Sequence, residues 1–204
     1  MTNQLSFAER LTCAASSLSR WAVWVGGALT LASVFLITYE VIARRAFGVS
    51  MGGADELSGY AFAISVTWAF AFTVLERANV RIDVLYQYLP VRLTAFLDWL
   101  ALVALGVFAV YLAYYGSQVA MLSWEQGSAA NTPLGTPLWI PQTLWAVGLI
   151  WFVAVLLLML VRASVALVTG DMSTVKTLAG MKTAVEEADE GAAEGERLIR
   201  AEQR

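Results

Sequence analysis

The sequence predicts an all-α integral membrane protein: four transmembrane helices with short interfacial amphipathic helices. Three observations carry that reading. Of 204 residues, 59% are hydrophobic and 14% charged, and the apolar residues stand in long uninterrupted runs rather than in the short periodic groups of a soluble core. Four of these runs are free of charge for the roughly 20 residues that a helix needs to cross a hydrocarbon core of about 30 Å. Tryptophans gather near the ends of the runs, at Trp21, Trp24, Trp99, Trp124 and Trp139, where indole rings favour the headgroup region.

Taken in order, residues 1–20 come first. Leu5, Ala8, Leu11, Ala15 and Leu18 recur at three- and four-residue steps, the pattern of a short amphipathic helix lying on the membrane surface; a frayed terminus is the alternative. The first span, 21–42, contains the uncharged run Trp21 to Tyr39 between Arg20 and Glu40. It exceeds the roughly 7 to 15 apolar residues of a signal peptide and no cleavage pattern follows it, so a retained anchor is expected. The second span, 55–76, opens with Asp55 and Glu56, which suit the positive end of a helix dipole. It carries small residues at four-residue spacing, Gly59, Ala63, Thr67 and Ala71. Such a stripe lets helix backbones approach closely in lipid, against either another span of the chain or a partner.

The third span, 93–124, holds the uncharged run from Trp99 to Trp124, between Asp98 and Glu125. Before the fourth, "GSAANTPLGTPLW" reads as a loop, leaving a helix over 138–162 with Pro141 in its first turn. Trp145, Trp151, Phe152, Leu156, Leu157, Leu158 and Leu160 make this span bulky, suited to lipid or to a large apolar partner surface. The chain thus divides into an N-terminal amphipathic segment 1–20, a four-helix membrane domain 21–165 and a cytoplasmic charged tail 166–204, of which 182–204 is disordered or a solvated helix.

Between the second and third spans, "LERANVRIDVLYQYLP" (75–90) interrupts the apolar runs with charge. Val80, Ile82 and Val84 alternate like a strand, but a lone strand at a membrane surface leaves its backbone groups unpaired. On a helix, Asn79, Asp83 and Gln87 share a wet face while Ile82, Leu85, Tyr86 and Leu89 cover the opposite side, so a surface-lying anchor helix is expected. Pro90 then opens the next helical segment, and Arg77, Arg81 and Arg92 can meet lipid phosphates.

Charge sets orientation and excludes function classes. Residues 1–181 hold nine Lys/Arg against nine Asp/Glu, and 182–204 hold four against seven, so the net charge of -3 belongs to the tail and no basic nucleic-acid footprint exists. With a cytoplasmic N-terminus, Arg10, Arg20, Arg77, Arg81, Arg92, Arg162 and Lys176 lie inside and only Arg44 and Arg45 outside, which places both termini in the cytoplasm. Arg44 and Arg45 are expected to snorkel to headgroups, with pairing to Asp55 or Glu56 as the alternative. A chain without histidine offers no His haem ligand, His-bearing zinc site or Ser-His base. The single Cys13 excludes an internal disulfide and thiolate clusters. Glu40, Asp55, Glu56, Glu76, Asp98 and Glu125 all fall at span ends, so no intramembrane transport pathway is legible. No enzyme and no cofactor are expected.

"YEVIARRAFGVSMGGADELSGYAF", an apolar span, "ERANVRIDVLYQYLP" and finally "TPLGTPLWIPQTLWAVGLIWF" follow one another in a pattern that resembles the DctQ-like small membrane subunit of tripartite ATP-independent periplasmic (TRAP) transporters. The resemblance covers roughly residues 20 to 165. The family's first motif, an Arg, an aromatic and an acidic pair opening the second span, falls on Arg44 or Arg45, Phe47, Asp55 and Glu56. Its second falls on Val80, Arg81, Ile82, Asp83, Leu89 and Pro90, with Asn79 where a His usually stands; Asn keeps a hydrogen bond but cannot titrate near neutrality. The third, a Pro-rich approach to the last span, falls on Pro133, Pro137, Trp139, Pro141 and Gly148.

The resemblance implies a subunit of a bacterial cytoplasmic (inner) membrane importer of an organic anion, a carboxylate. A periplasmic substrate-binding protein would deliver the anion, and a large multi-span permease would carry it with a sodium gradient whose ion it binds itself. The small subunit, embedded in membrane lipids, would brace the large one and bind no substrate. The alternative is an accessory four-helix subunit of another membrane complex, respiratory or energy-coupling.

Overall fold

A chain this apolar must satisfy its backbone amides internally, and helices do so within each segment. The structure, a computed structural model, describes residues 7–78, 89–180 and, in the tail, 188, 191–193, 195–196 and 199–200. Five named helices follow in chain order: α1 (Phe7–Phe47), α2 (Ala54–Leu75), α3 (Val91–Glu125), α4 (Trp139–Thr169) and α5 (Met172–Ala179). The described residues contain no strand, only an isolated antiparallel bridge between Ala129 and Pro137. The four helices α1 to α4 are long and apolar enough to cross a membrane, and the chain is an all-α membrane protein. Helices α2 and α3 occupy 55–76 and 93–124 to within two residues at each end.

α1 differs from the expected surface helix followed by a separate span. It runs for 41 residues without a break, about 60 Å at 1.5 Å per residue. No Gly or Pro stands between Phe7 and Trp24 to interrupt it, and its early residues are docked on the bundle. Ala15 and Ser19 are buried, the Trp151 indole donates to Ser19 Oγ at 3.1 Å, and Arg162 Nη1 donates to Thr12 Oγ1 at 2.7 Å.

α4 is the hub: of the bulky residues expected to suit lipid or a partner, Phe152 and Leu156 are buried within the chain, Leu157 is exposed, and Trp145, Trp151, Leu158 and Leu160 are half-buried. Leu149, Phe152, Val155, Leu156, Met159 and Ala163 are buried and pack with Ala71 and Val74 of α2 and Leu102 and Ala109 of α3. Only the other side, with Leu144, Val147, Ile150, Leu157 and Val161, is exposed. The same helix also buries small residues, Ala146, Gly148, Ala163 and Ala166. A Cβ on Gly148 would lie 2.8 Å from both Thr67 Oγ1 and Trp68 Cδ1 of α2. Close approach of this kind is how helices associate where lipid gives no hydrophobic drive. The α1–α2 seam works alike: a Cβ on Gly26 would lie 3.2 Å from Ser65 Cα, and Ser65 Oγ donates to the Gly26 carbonyl at 2.9 Å. Indole N–H groups also fasten crossings: Trp68 bonds the Leu144 carbonyl at 3.1 Å across the same α2–α4 seam, and Trp99 bonds Ser164 Oγ at 2.8 Å between α3 and α4.

The stretch 166–180, expected as charged tail, is folded. α4 continues to Thr169 and is closed by Gly170 at φ 76°, the left-handed conformation that suits glycine. Asp171 then caps α5 by accepting from the Thr174 amide at 3.1 Å. The hydroxyls of Ser173 and Thr174 also donate to it, and together with that amide they hold its carboxyl down at about 2, below its ordinary value of 3.8. α5 buries Val175 and Ala179, with Val175 against Ala95 and Ala166, while Ser173, Lys176 and Thr177 face outward.

Candidate functional site

With no metal-ligand cluster among the described residues, the polar chemistry of the chain is concentrated at one end of the bundle, where the α1–α2 and α3–α4 connections lie side by side. Two carboxylates organise it. Glu40, four residues before Arg44 on α1, is only 2% exposed. Arg44 Nη2 donates to its Oε1 at 2.9 Å, the Ser50 hydroxyl donates to the same oxygen, and the Met51 amide donates to Oε2 at 2.9 Å. One side chain therefore folds the 48–53 connection back onto the helix it has just left.

Glu56, in the first turn of α2, does the same for the other connection. The Thr132 hydroxyl donates to Glu56 Oε2, Tyr60 OH donates to Oε1 at 2.9 Å, and Thr136 stands beside them as a further donor. The 128–138 connection is itself a tight hairpin, in which the Ala130 amide donates to Thr136 O at 2.9 Å and the Leu138 amide to Ser128 O at 3.0 Å. Its tip lies over the glycines before α2. A Cβ on Gly52 would meet Pro133 at 3.2 Å, and one on Gly53 would run into Leu134 at 1.9 Å. Gly52 also holds φ 70°, so both space and backbone require glycine there.

The motif residues distribute as follows. Arg44 pairs with Glu40, neither with Asp55 nor with Glu56, while its neighbour Arg45 and Phe47 are exposed. Asp55 is exposed. α2 is preceded by Gly53 with no side-chain cap, so the expected capping role of Asp55 and Glu56 is not what Glu56 does. Pro133 touches Gly52, Pro137 forms the bridge to Ala129, Trp139 stacks edge-on against Trp124 with centroids 4.5 Å apart, and Pro141 is buried. Pro90, at φ -65°, immediately precedes α3. Asn79, Arg81 and Asp83, with the surface helix expected around them, lie outside the described residues. Of the small-residue stripe, Thr67 and Ala71 are buried in the α2–α4 seam, Ala63 is half-buried and Gly59 is exposed with open space around it.

Sequence reasoning missed Glu40, Ser50, Thr132 and Thr136. The Glu40–Arg44 pair was signalled by its i, i+4 spacing; nothing local marks two threonines as partners of a carboxylate 76 residues away. Asp98, just before the charge-free run Trp99 to Trp124, is the eighth residue of α3 and is buried. The buried hydroxyls of Ser65 and Thr67 accompany helix seams and bond back to carbonyls of their own helix, as packing polar groups do in membranes.

Among known proteins, neither the curated sequences nor the solved structures contain a match to this chain. Residues 33–166 match the family described as "Tripartite ATP-independent periplasmic transporters, DctQ component". That interval begins within α1, contains the whole two-carboxylate end and reaches into the last turn of α4. It marks a transporter component rather than an enzyme and sets aside the accessory subunit of another complex. With four membrane-length helices, an ordered polar cap and a family match over most of its length, the chain belongs to the DctQ component family of the tripartite ATP-independent periplasmic transporters.

Proposed function

We propose that this chain is the small permease subunit that braces a large multi-span permease during sodium-coupled import of a carboxylate, the substrate being delivered by a periplasmic binding protein. The observation that carries the reading is the family match across 33–166. The geometry supports the bracing role. The described polar groups within the bundle serve its own seams and its cap, as Ser65, Trp68 and Trp99 illustrate, and long apolar faces remain outward on α1 and α3, with Phe35, Tyr39, Phe108, Tyr111 and Tyr115 among the exposed residues. A subunit built this way offers stiffness and apolar surface. Sodium and the anion belong to the permease, and this chain uses no cofactor.

The seven-to-two excess of Lys/Arg on one side supports cytoplasmic termini, which puts the Glu40 and Glu56 cap on the periplasmic face of the inner membrane. Single cysteines at Asn131 and Glu196, each in a Cys13→Ser background, test that arrangement. An impermeant maleimide should label the first on intact cells and the second only after lysis; the reverse pattern inverts the topology. Co-expression with the neighbouring permease should give a stable complex that takes up anion in proteoliposomes only with an inward sodium gradient. Uptake by this chain alone would refute the bracing role.

A further inference from the structure

We propose that the face of α1 bearing Ser16, Ser17 and Arg20 binds the phosphate of a membrane phospholipid. This site is separate from the Glu40 and Glu56 cap. Cys13, Ser16, Ser17, Arg20, Trp21 and Trp24 line one groove and fall at helical spacing along one side of α1.

Arg20 supplies the charge. Arg44 has Glu40 and Arg162 has Thr12, but Arg20 is exposed and no described residue bonds its guanidinium. It sits at the edge of the uncharged run Trp21 to Tyr39, whose length of about 28 Å at helical rise matches a hydrocarbon core. A side chain on a helix leans toward the N-terminal end, so Arg20 leans away from that run and toward the level where Thr12 meets Arg162. A guanidinium there, beside two hydroxyls, is matched by a phosphate diester: bidentate N–H donors for its oxygens and O–H donors for the rest.

The indoles supply the second half of the recognition. Trp21 and Trp24 are 70% and 74% exposed, on the hydrocarbon side of Arg20, and present flat apolar surface to an acyl chain where indoles prefer to sit. From Cys13 to Trp24 the groove follows α1 for about 16 Å, enough for a headgroup and the first methylenes below it. Arg next to Ser reads the phosphate, and Trp reads the chain.

The test uses the purified full chain and native mass spectrometry with palmitoyl-oleoyl phosphatidylglycerol, the diacylglycerol of the same chains, and inorganic phosphate as separate probes. The wild type should retain one phosphatidylglycerol that Arg20→Gln holds about tenfold more weakly, the loss expected for one charge-assisted bond, and Arg20→Lys should recover most of it. Brominated acyl chains should quench the wild type more than the Trp21→Phe, Trp24→Phe double variant. Equal retention of phosphatidylglycerol and diacylglycerol, or by wild type and Arg20→Gln, overturns the proposal. So does full displacement by inorganic phosphate, which would make the site one for a free anion. If Arg20→Gln leaves the lipid bound and instead releases a co-purifying protein, the occupant is a partner's carboxylate and the proposal also fails.

Discussion

Gly148 is the position where one added carbon should matter most. In Gly148→Ala the new Cβ would stand 2.8 Å from Thr67 Oγ1, 2.8 Å from Trp68 Cδ1 and 3.0 Å from Trp68 Nε1. Ordinary contact needs about 3.5–4.0 Å, so α2 and α4 must part by up to an ångström or Trp68 must leave its place. Either movement stretches the Trp68 N–H bond to Leu144 O, now 3.1 Å, beyond useful length. Overpacking a tight core costs about 1–3 kcal/mol, and an interhelical hydrogen bond in a membrane averages about 0.6 kcal/mol, which together give about 2–4 kcal/mol. Gly26→Ala, with a nearest approach of 3.2 Å to Ser65, should cost about 1 kcal/mol, at the mild end of overpacking. Gly59→Ala meets nothing within 4 Å and should be neutral or gain roughly 0.5–1 kcal/mol from helix propensity. Unfolding by denaturing detergent in mixed micelles, followed by tryptophan fluorescence, measures all three. The ranking is the claim: if Gly148→Ala is as stable as Gly59→Ala, the α2–α4 seam is not packed as described.

Three further outcomes are expected. Glu40→Gln keeps the shape but weakens the bonds from Arg44, Ser50 and Met51; losing charge assistance there should loosen the 48–53 connection and expose it to protease, and unchanged cleavage there would contradict its role as a latch. Thr132→Val removes the hairpin's bond to Glu56, so the Thr132→Val and Glu56→Gln effects should overlap rather than add; strict additivity in a double-mutant cycle would show that the two do not interact. Asp171 has a depressed carboxyl, so its contribution to α5 is complete above its ordinary value of 3.8 and is lost as pH falls through about 2. A spin label on Thr177 should report a docked α5 from pH 8 down to the carboxyl's ordinary value of 3.8 and increasing mobility as pH falls from there through about 2. Asp171→Ala should report the mobile state throughout, and a label that loosens at neutral pH would rule this coupling out.

The helices were legible because the bilayer imposes one rule, a charge-free run of fixed length, and α2 and α3 obey it at both ends. The rule is silent on what continues a helix beyond the hydrocarbon. α1 continues toward its N-terminus because nothing between Phe7 and Trp24 stops it, and α4 continues past Arg162 because its first stop signal is Gly170. That Gly–Asp pair, with Ser and Thr two and three residues after the Asp, is a readable end and start of helices, passed over because charge made the region look like tail. Burial on α4 was misjudged for a different reason: large residues drew attention from Ala146, Gly148, Ala163 and Ala166, and in lipid it is small residues that mark an interface. At the cap, Glu56 was legible as a residue of interest and its partners were not, since Thr132 reaches it only through the fold.

These observations converge on how a membrane subunit can be stiff without a polar core. Each helix crossing is closed in one of two ways, by a glycine that admits a neighbour's side chain, as at Gly26 and Gly148, or by an indole N–H that reaches across, as at Trp68, Trp99 and Trp151. Neither device needs an ionisable side chain. Charge is used instead at the two ends: Glu40 and Glu56 bind connections at one, and Arg162 with Thr12 and Asp171 with α5 bind elements at the other. Fixing both ends of a bundle restricts tilt between its helices more than any single bond near the middle, because a contact far from the crossing point has the longer lever. The outward faces of α1 and α3 are then free of structural duty, and what they offer a partner is shape and aromatic surface rather than charge. The bracing role proposed above calls for that separation, since a stray carboxylate along the flank would compete for a cation carried by the permease.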